Sequence, residues 1–97
     1  MATFISMISY TAQGIASIKD SPARLDAVRE NMAAMGVTLK DFYLTIGEHD
    51  AVVILEAPDT ASAAKALLAA GAQGNVSTTT MAALTEDEFR SVIADMG

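Results

Sequence analysis

The run Ala51-Val52-Val53-Ile54-Leu55 constrains this chain more than any other feature, because it is wholly apolar and stands between two clusters of turn residues, Gly47 to Asp50 and Pro58-Asp59. A short β-branched run bounded in this way reads as a strand, and successive strand side chains point to opposite faces. Val52 and Ile54 therefore fall on one side and Ala51, Val53 and Leu55 on the other, so the strand needs cover on both. Ahead of it, Val37 to Ile46 is rich in β-formers, with Phe42, Leu44 and Ile46 alternating with Tyr43 and Thr45. "LKD" at Leu39 to Asp41 breaks that alternation and marks a bulge. The two arms make a hairpin, and the second arm is expected to be central in its sheet.

The rest of the chain supplies partners for that hairpin. Thr3 to Tyr10 alternates as a strand, with Phe4, Ser6, Ile8 and Tyr10 on one face and Ile5, Met7 and Ser9 on the other. Thr11 can cap a short helical turn carrying Ile15 and Ile18. Ser21-Pro22 signals a stronger start, with serine as cap and proline in the first turn; Leu25, Val28, Met32 and Met35 then form one apolar stripe, and Gly36 ends the helix. Asp59 is placed to cap a helix running through "TASAAKALLAAGAQG", Thr60 to Gly74, which Gly71 and Gly74 stop. Val76 to Leu84 is a threonine-rich strand. Thr85 and Glu88 have capping-box spacing, and Phe89, Val92, Ile93 and Met96 give the last helix one face to bury.

The order β, α, β, β, α, β with an appended helix is the split arrangement of ferredoxin-like domains. It predicts an α+β fold with a four-stranded antiparallel sheet, both main helices on one face, and strands one and three in the centre. Lys40, Asp41 and the threonines of strand four suit edges. Helices cover one sheet face only, so an apolar face is left over, and leaving two or three such side chains in water forgoes about 1.5 to 3 kcal/mol each. A second copy of the sheet, related by a two-fold axis, is the expected cover. Homodimerisation follows from the strand pattern itself.

Composition narrows the partners further. With 97 residues the chain is expected to form one domain, residues 1–97. A net charge of −6 repels phosphate backbones and anionic headgroups, so neither nucleic acid nor membrane is expected as a partner. There is no cysteine, which removes disulfides, thiolate zinc sites and cysteine nucleophiles. The start "MATFISMISYTAQ" does not read as a secretory signal, and no apolar stretch has the roughly 18 to 20 residues needed to cross a bilayer. A cytoplasmic protein without a cofactor is the expectation.

Several segments taken together, "YTAQG" at Tyr10 to Gly14, "SPARLDAVRENMAAMG" at Ser21 to Gly36, "DFYLTIGEHDAVVILEAPD" at Asp41 to Asp59, "GNVSTTTMAAL" at Gly74 to Leu84 and "TEDEF" at Thr85 to Phe89, resemble the GYD-domain family of the dimeric α/β-barrel group. Where the family's namesake pattern has Gly, any residue, Tyr, Asp, this chain has Gly47, Glu48, His49, Asp50. Histidine keeps a planar ring with a polar edge, but a role needing the phenol hydroxyl would not transfer. The resemblance implies a small oligomeric protein of bacterial type. The wider barrel group ranges from monooxygenases to ligand-binding and stress-related proteins.

Seven residues are candidates for a site. His49, flanked by Glu48 and Asp50, is either a general base oriented by a carboxylate or a turn residue beside an Asp50 that accepts from turn amides. Tyr10 and Tyr43 are the other polar participants an enzyme would have. Thr78 and Thr80 share a strand face and either bind a ligand within a barrel or are ordinary edge residues. Arg24, near a helix start where a cation is unfavourable, either meets an anionic ligand or pairs with Asp20 or Glu30. One histidine without cysteine leaves no metal site in prospect. Gly71 to Gly74 follows a helix and precedes a strand, the reverse of a phosphate-binding turn. The leading functional expectation is a homodimeric binding or interaction protein enclosing a small apolar ligand; the alternative is a cofactor-independent enzyme of monooxygenase or isomerase type.

Overall fold

The computed structural model describes residues 1–97. Strand β1 (Ala2–Tyr10) leads into helix α1 (Ala12–Ala16), a 3-10 turn (Ile18–Asp20) and helix α2 (Ser21–Ala34). Strands β2 (Thr38–Leu44) and β3 (Ala51–Ala57), helix α3 (Thr60–Gly71), strand β4 (Val76–Ala83) and helix α4 (Glu86–Asp95) complete the chain. The sheet order is β2-β3-β1-β4 and every neighbouring pair is antiparallel. The fold is ferredoxin-like, with β1 and β3 central.

Alternation along β3 divides its two faces. Val53, Leu55 and Ala57 are buried under the helices, in a cluster with Phe4, Met32, Val37, Leu39, Ala63 and Ala66, and Ala51 is buried outside that cluster. Leu55 sits opposite Phe4 of β1 and opposite Leu39 of β2. On β2 the register shifts between Leu39 and Asp41, so Lys40 is an extra residue. That bulge is why Leu39 and Phe42, three apart in sequence, both face the helices; a regular strand would send one of them to the other face.

The helix ends are set by local chemistry. The Thr11 hydroxyl accepts from the Gly14 amide at 3.1 Å and the Asp59 carboxylate accepts from the Ser62 amide at 2.7 Å. In the capping box of α4, Glu88 N–H donates to Thr85 Oγ1 and Thr85 N–H donates to Glu88 Oε1. At the end of α2, Gly36 takes a positive φ of 79° and the Val37 amide reaches back to the Met32 carbonyl at 2.9 Å, which brings two buried side chains together as the helix stops. Gly71 is the last residue of α3, and Gly74 supplies the positive φ that follows.

Two expectations need correction. Ser21 is not the cap of α2: Asp20 holds that position without a side-chain bond, and the Ser21 hydroxyl faces the Tyr10 hydroxyl at 3.1 Å. The apolar stripe of α4 is not buried by its own chain; Phe89, Val92, Ile93 and Met96 are all about half exposed or more. The helix stands off the body, and the radius of gyration of 14.6 Å exceeds the roughly 12.5 Å of a compact chain of this length. No helix is long and apolar enough to cross a membrane.

Buried Gly14 packs against the start of β4, where an added Cβ would collide with the backbone oxygen of Asn75. Gly14→Ala is therefore expected to cost about 1 to 3 kcal/mol in denaturant unfolding, and an unchanged midpoint would refute this packing. The Asp59 and Glu88 carboxyls are held below the usual carboxylate range, chiefly by the backbone amides of Ser62 and Thr85 respectively. A depressed folded value means that the unfolded chain binds the proton more readily, so these caps stabilise above about pH 4 and fade as pH falls through the lower folded values. The melting temperature should fall on acidification over that window, and less so in the Asp59→Asn, Glu88→Gln double variant.

Candidate functional site

The loop that closes the β2–β3 hairpin, residues 45–50, is tied to the end of β1. The Asp50 amide donates to the Ile8 carbonyl at 2.8 Å, continuing the β1–β3 ladder, and the Thr45 amide donates to the Asp50 carbonyl at 2.9 Å. Beyond this point β1 overhangs its partner, and the Tyr10 amide donates to Asp50 Oδ2 at 2.8 Å. Asp50 thus receives a strand amide rather than the turn amides expected. Its carboxylate takes the place of a missing strand residue.

His49 sits in the same loop, its carbonyl accepting from the Thr45 hydroxyl at 2.7 Å. The ring lines a shallow depression of about 220 Å³ with Met7, Thr45, Ile46 and Val52, and its Nδ1 is buried without a hydrogen-bond partner. Asp50 is committed to Tyr10, so no carboxylate is seen orienting the imidazole. Tyr43, opposite Val52 on β2, lies on the face away from the helices and is 60% exposed.

A second concavity lies on the helix side of the sheet, between α2, α3 and the adjoining ends of β1 and β4. It is a cavity of about 80 Å³, floored by core side chains including Ile8, Val28, Phe42, Val53 and Leu67, and rimmed by Tyr10, Ser21, Arg24, Gln73, Asn75 and Thr78. Helix α3 contributes Leu67 and Ala70 to its wall, and α2 contributes Arg24, Leu25, Val28 and Met32. Arg24 Nη1 donates to the Ser17 carbonyl at 3.0 Å and to the Ser17 hydroxyl at 3.1 Å, and Nη2 donates to the Gly14 carbonyl at 3.4 Å. It pairs with neither Asp20 nor Glu30, the partners weighed from the sequence.

The candidates are therefore divided. Tyr10, Arg24 and Thr78 converge on the helix-side cavity, while His49 and Tyr43 belong to the opposite side of the sheet. Thr80 shares a face with Thr78 but is held by Ser6, hydroxyl to hydroxyl at 2.8 Å, which satisfies the one fully buried polar residue of β1. Ser21, Gln73 and Asn75 were missed, since serine beside proline reads locally as a cap and the other two as loop. Nowhere do three or more His, Asp or Glu side chains gather as a metal site would require.

Beneath the open face the pattern is different. Ile5, Met7, Val52 and Ile54 lie side by side and only partly covered, with Tyr43 and Met81, the latter 48% exposed, beside them. The family model described as GYD domain matches residues 4–93, nearly the whole of this sheet and its helices. The chain belongs to the GYD domain family. A relative from Thermus thermophilus, described as "Glutamine synthetase and cystathionine beta-lyase binding protein", is 32% identical over 85 residues, which cover 87% of this chain and 90% of that protein.

Solved structures share the fold of this GYD domain at low identity. The feast or famine regulatory protein of M. tuberculosis, solved with L-methionine, superposes with a TM-score of 0.67 at 19% identity, over 88% of this chain and 51% of that one. The leucine response regulatory protein of Mycobacterium tuberculosis gives 0.65 at 19% identity, over 87% and 51%. A structure from Thermus thermophilus gives 0.56 at 18% identity, over 88% and 95%. The GYD domain thus spans about half of each mycobacterial chain, and at these identities the likeness is one of fold.

Within the hairpin loop, the tie from Asp50 to β1 generates a prediction. Asp50→Ala leaves the Tyr10 amide without its charged acceptor and should cost about 1.5 to 3 kcal/mol in urea unfolding. His49→Ala, which removes no hydrogen bond made by the ring, should cost clearly less. Equal losses for the two variants would contradict this division of roles.

Proposed function

We propose that this protein is a small protein-binding module that works as a homodimer, with the open sheet face as its self-association surface. The observation that carries the reading is the row Ile5, Met7, Val52 and Ile54, apolar and only partly covered on a sheet face that no helix roofs. Contiguous apolar surface of this kind marks interaction sites in soluble proteins. Helix α4 adds a second demand for cover, because a helix of 10 residues is marginal in water on its own and its apolar stripe is unpartnered. Binding to other proteins is supported by the description of the Thermus relative as a binding protein for two enzymes.

The enzyme alternative rests on His49, Tyr10 or Tyr43 as its polar participant; Tyr10 rims the helix-side cavity, while His49 and Tyr43 lie on the other side of the sheet, so no pocket combines them. A ligand between paired sheets would meet His49 and Tyr43. It would not meet Arg24 or Thr78, which border the cavity on the helix side of the sheet.

Light scattering at micromolar concentration should return twice the chain mass for the native protein and the chain mass for Ile54→Lys, whose charge lands in the middle of the open face. A native monomer sinks the dimer. Purified glutamine synthetase and cystathionine beta-lyase from the same source organism, passed over immobilised protein, test the partner class. Saturable binding of either supports the reading, and binding of neither overturns it as a module for these enzymes.

A further inference from the structure

Arg24 stands at the rim of the helix-side cavity with no carboxylate within 4.0 Å, although the chain carries twelve acidic residues. Its hydrogen bonds end on two carbonyls and a hydroxyl, all neutral, so the guanidinium charge is uncompensated in a half-buried position. Guanidinium stays protonated under all ordinary conditions and matches a carboxylate in both charge and planar geometry. Beside it, Tyr10 and Ser21 share a single hydrogen bond, which uses one of their two hydroxyl protons. The other proton remains free to donate. Below this rim the wall is aliphatic and aromatic, without a charged group.

We propose that the cavity binds a short, branched aliphatic monocarboxylate, its tail among Ile8, Val28, Leu67 and Ala70, its carboxylate on Arg24 and the Tyr10–Ser21 hydroxyl pair. The volume sets the size. At about 80 Å³ the space is roughly half of the ~150 Å³ that takes up benzene, so a tail of about four carbons fits and a bicyclic ring does not. An apolar pocket with a few convergent polar groups is the general form of a small-molecule site. The site lies on the opposite side of the sheet from the proposed dimer surface, so it stands whether or not that surface is used.

The test is an NMR titration of the full chain, labelled at its methyl groups, with 3-methylbutanoate and separately with the uncharged isostere 3-methylbutanamide. Saturable shifts are expected at the Val28 and Leu67 methyls, with the acid binding at least about tenfold more tightly than the amide, as a charge-assisted bond implies. In Arg24→Gln that preference should vanish. Because Arg24 also holds α1 carbonyls, a second variant guards against misfolding: Ala70→Leu fills the cavity from α3, leaves Arg24 in place, and should abolish binding of both compounds with the spectrum otherwise retained. No saturable shift at the cavity methyls, equal affinity for acid and amide, or full affinity in Ala70→Leu would each overturn the proposal.

Discussion

The rest of this structure depends on Val53 and Leu55 being packed from one side by two helices while Val52 and Ile54, their immediate neighbours, are not. Burying a side chain of this size is worth about 1.5 to 3 kcal/mol, so the covered side holds the domain together. The uncovered side keeps a demand of the same kind. The sheet order follows, since the most apolar strand gains most from the centre, where β1 supplies Phe4 on the helix side and Ile5 and Met7 on the other. The bulge at Lys40 serves the same end by turning both Leu39 and Phe42 inward.

A second constraint acts at the far end of β1, where the strand runs past β3. There the polar bonds are long-range in sequence: Asp50 to the Tyr10 amide, Thr11 to the Gly74 carbonyl at 2.6 Å, and Gln13 to Asn75 at 3.0 Å. Gly14 allows α1 to lie against the backbone of Asn75. These bonds join the segment Gly47–Asp50, the turn after β1 and the start of β4 into one block. The block also builds one side of the helix-side cavity, through Tyr10 and Asn75. Fold and site therefore share residues here.

The sheet separates two kinds of surface. One face, roofed by α2 and α3, encloses a small apolar space beneath an unpaired guanidinium; the other is broad, shallow and open. This chain has both within 97 residues because α2 and α3 roof one sheet face and leave a space beside Leu67 and Ala70, while the other face has no such roof. The proposed ligand site and the proposed interaction surface are thereby kept on opposite sides of the sheet.

Element order, the bulge, the caps at Thr11, Asp59 and Thr85, and the apolar stripes were legible in the sequence, because each rests on strand or helix periodicity or on a hydrogen bond spanning three residues. The leftover sheet face was legible for the same reason, since period-two alternation fixes which residues share a side. The candidate site was legible only residue by residue. Tyr10, Arg24 and Thr78 could be named, but nothing local brings them together. The acceptor of the Tyr10 amide lies 40 residues away, and the partner of Thr80 lies 74 residues away. Ser21 reads as a cap until β1 places a tyrosine hydroxyl beside it. Periodicity and capping are properties of neighbours along the chain, so the sequence by itself determined them; strand register and helix spacing are properties of the packed whole, and only they decided that Asp50 completes β1 and that the cavity opens beneath the helices.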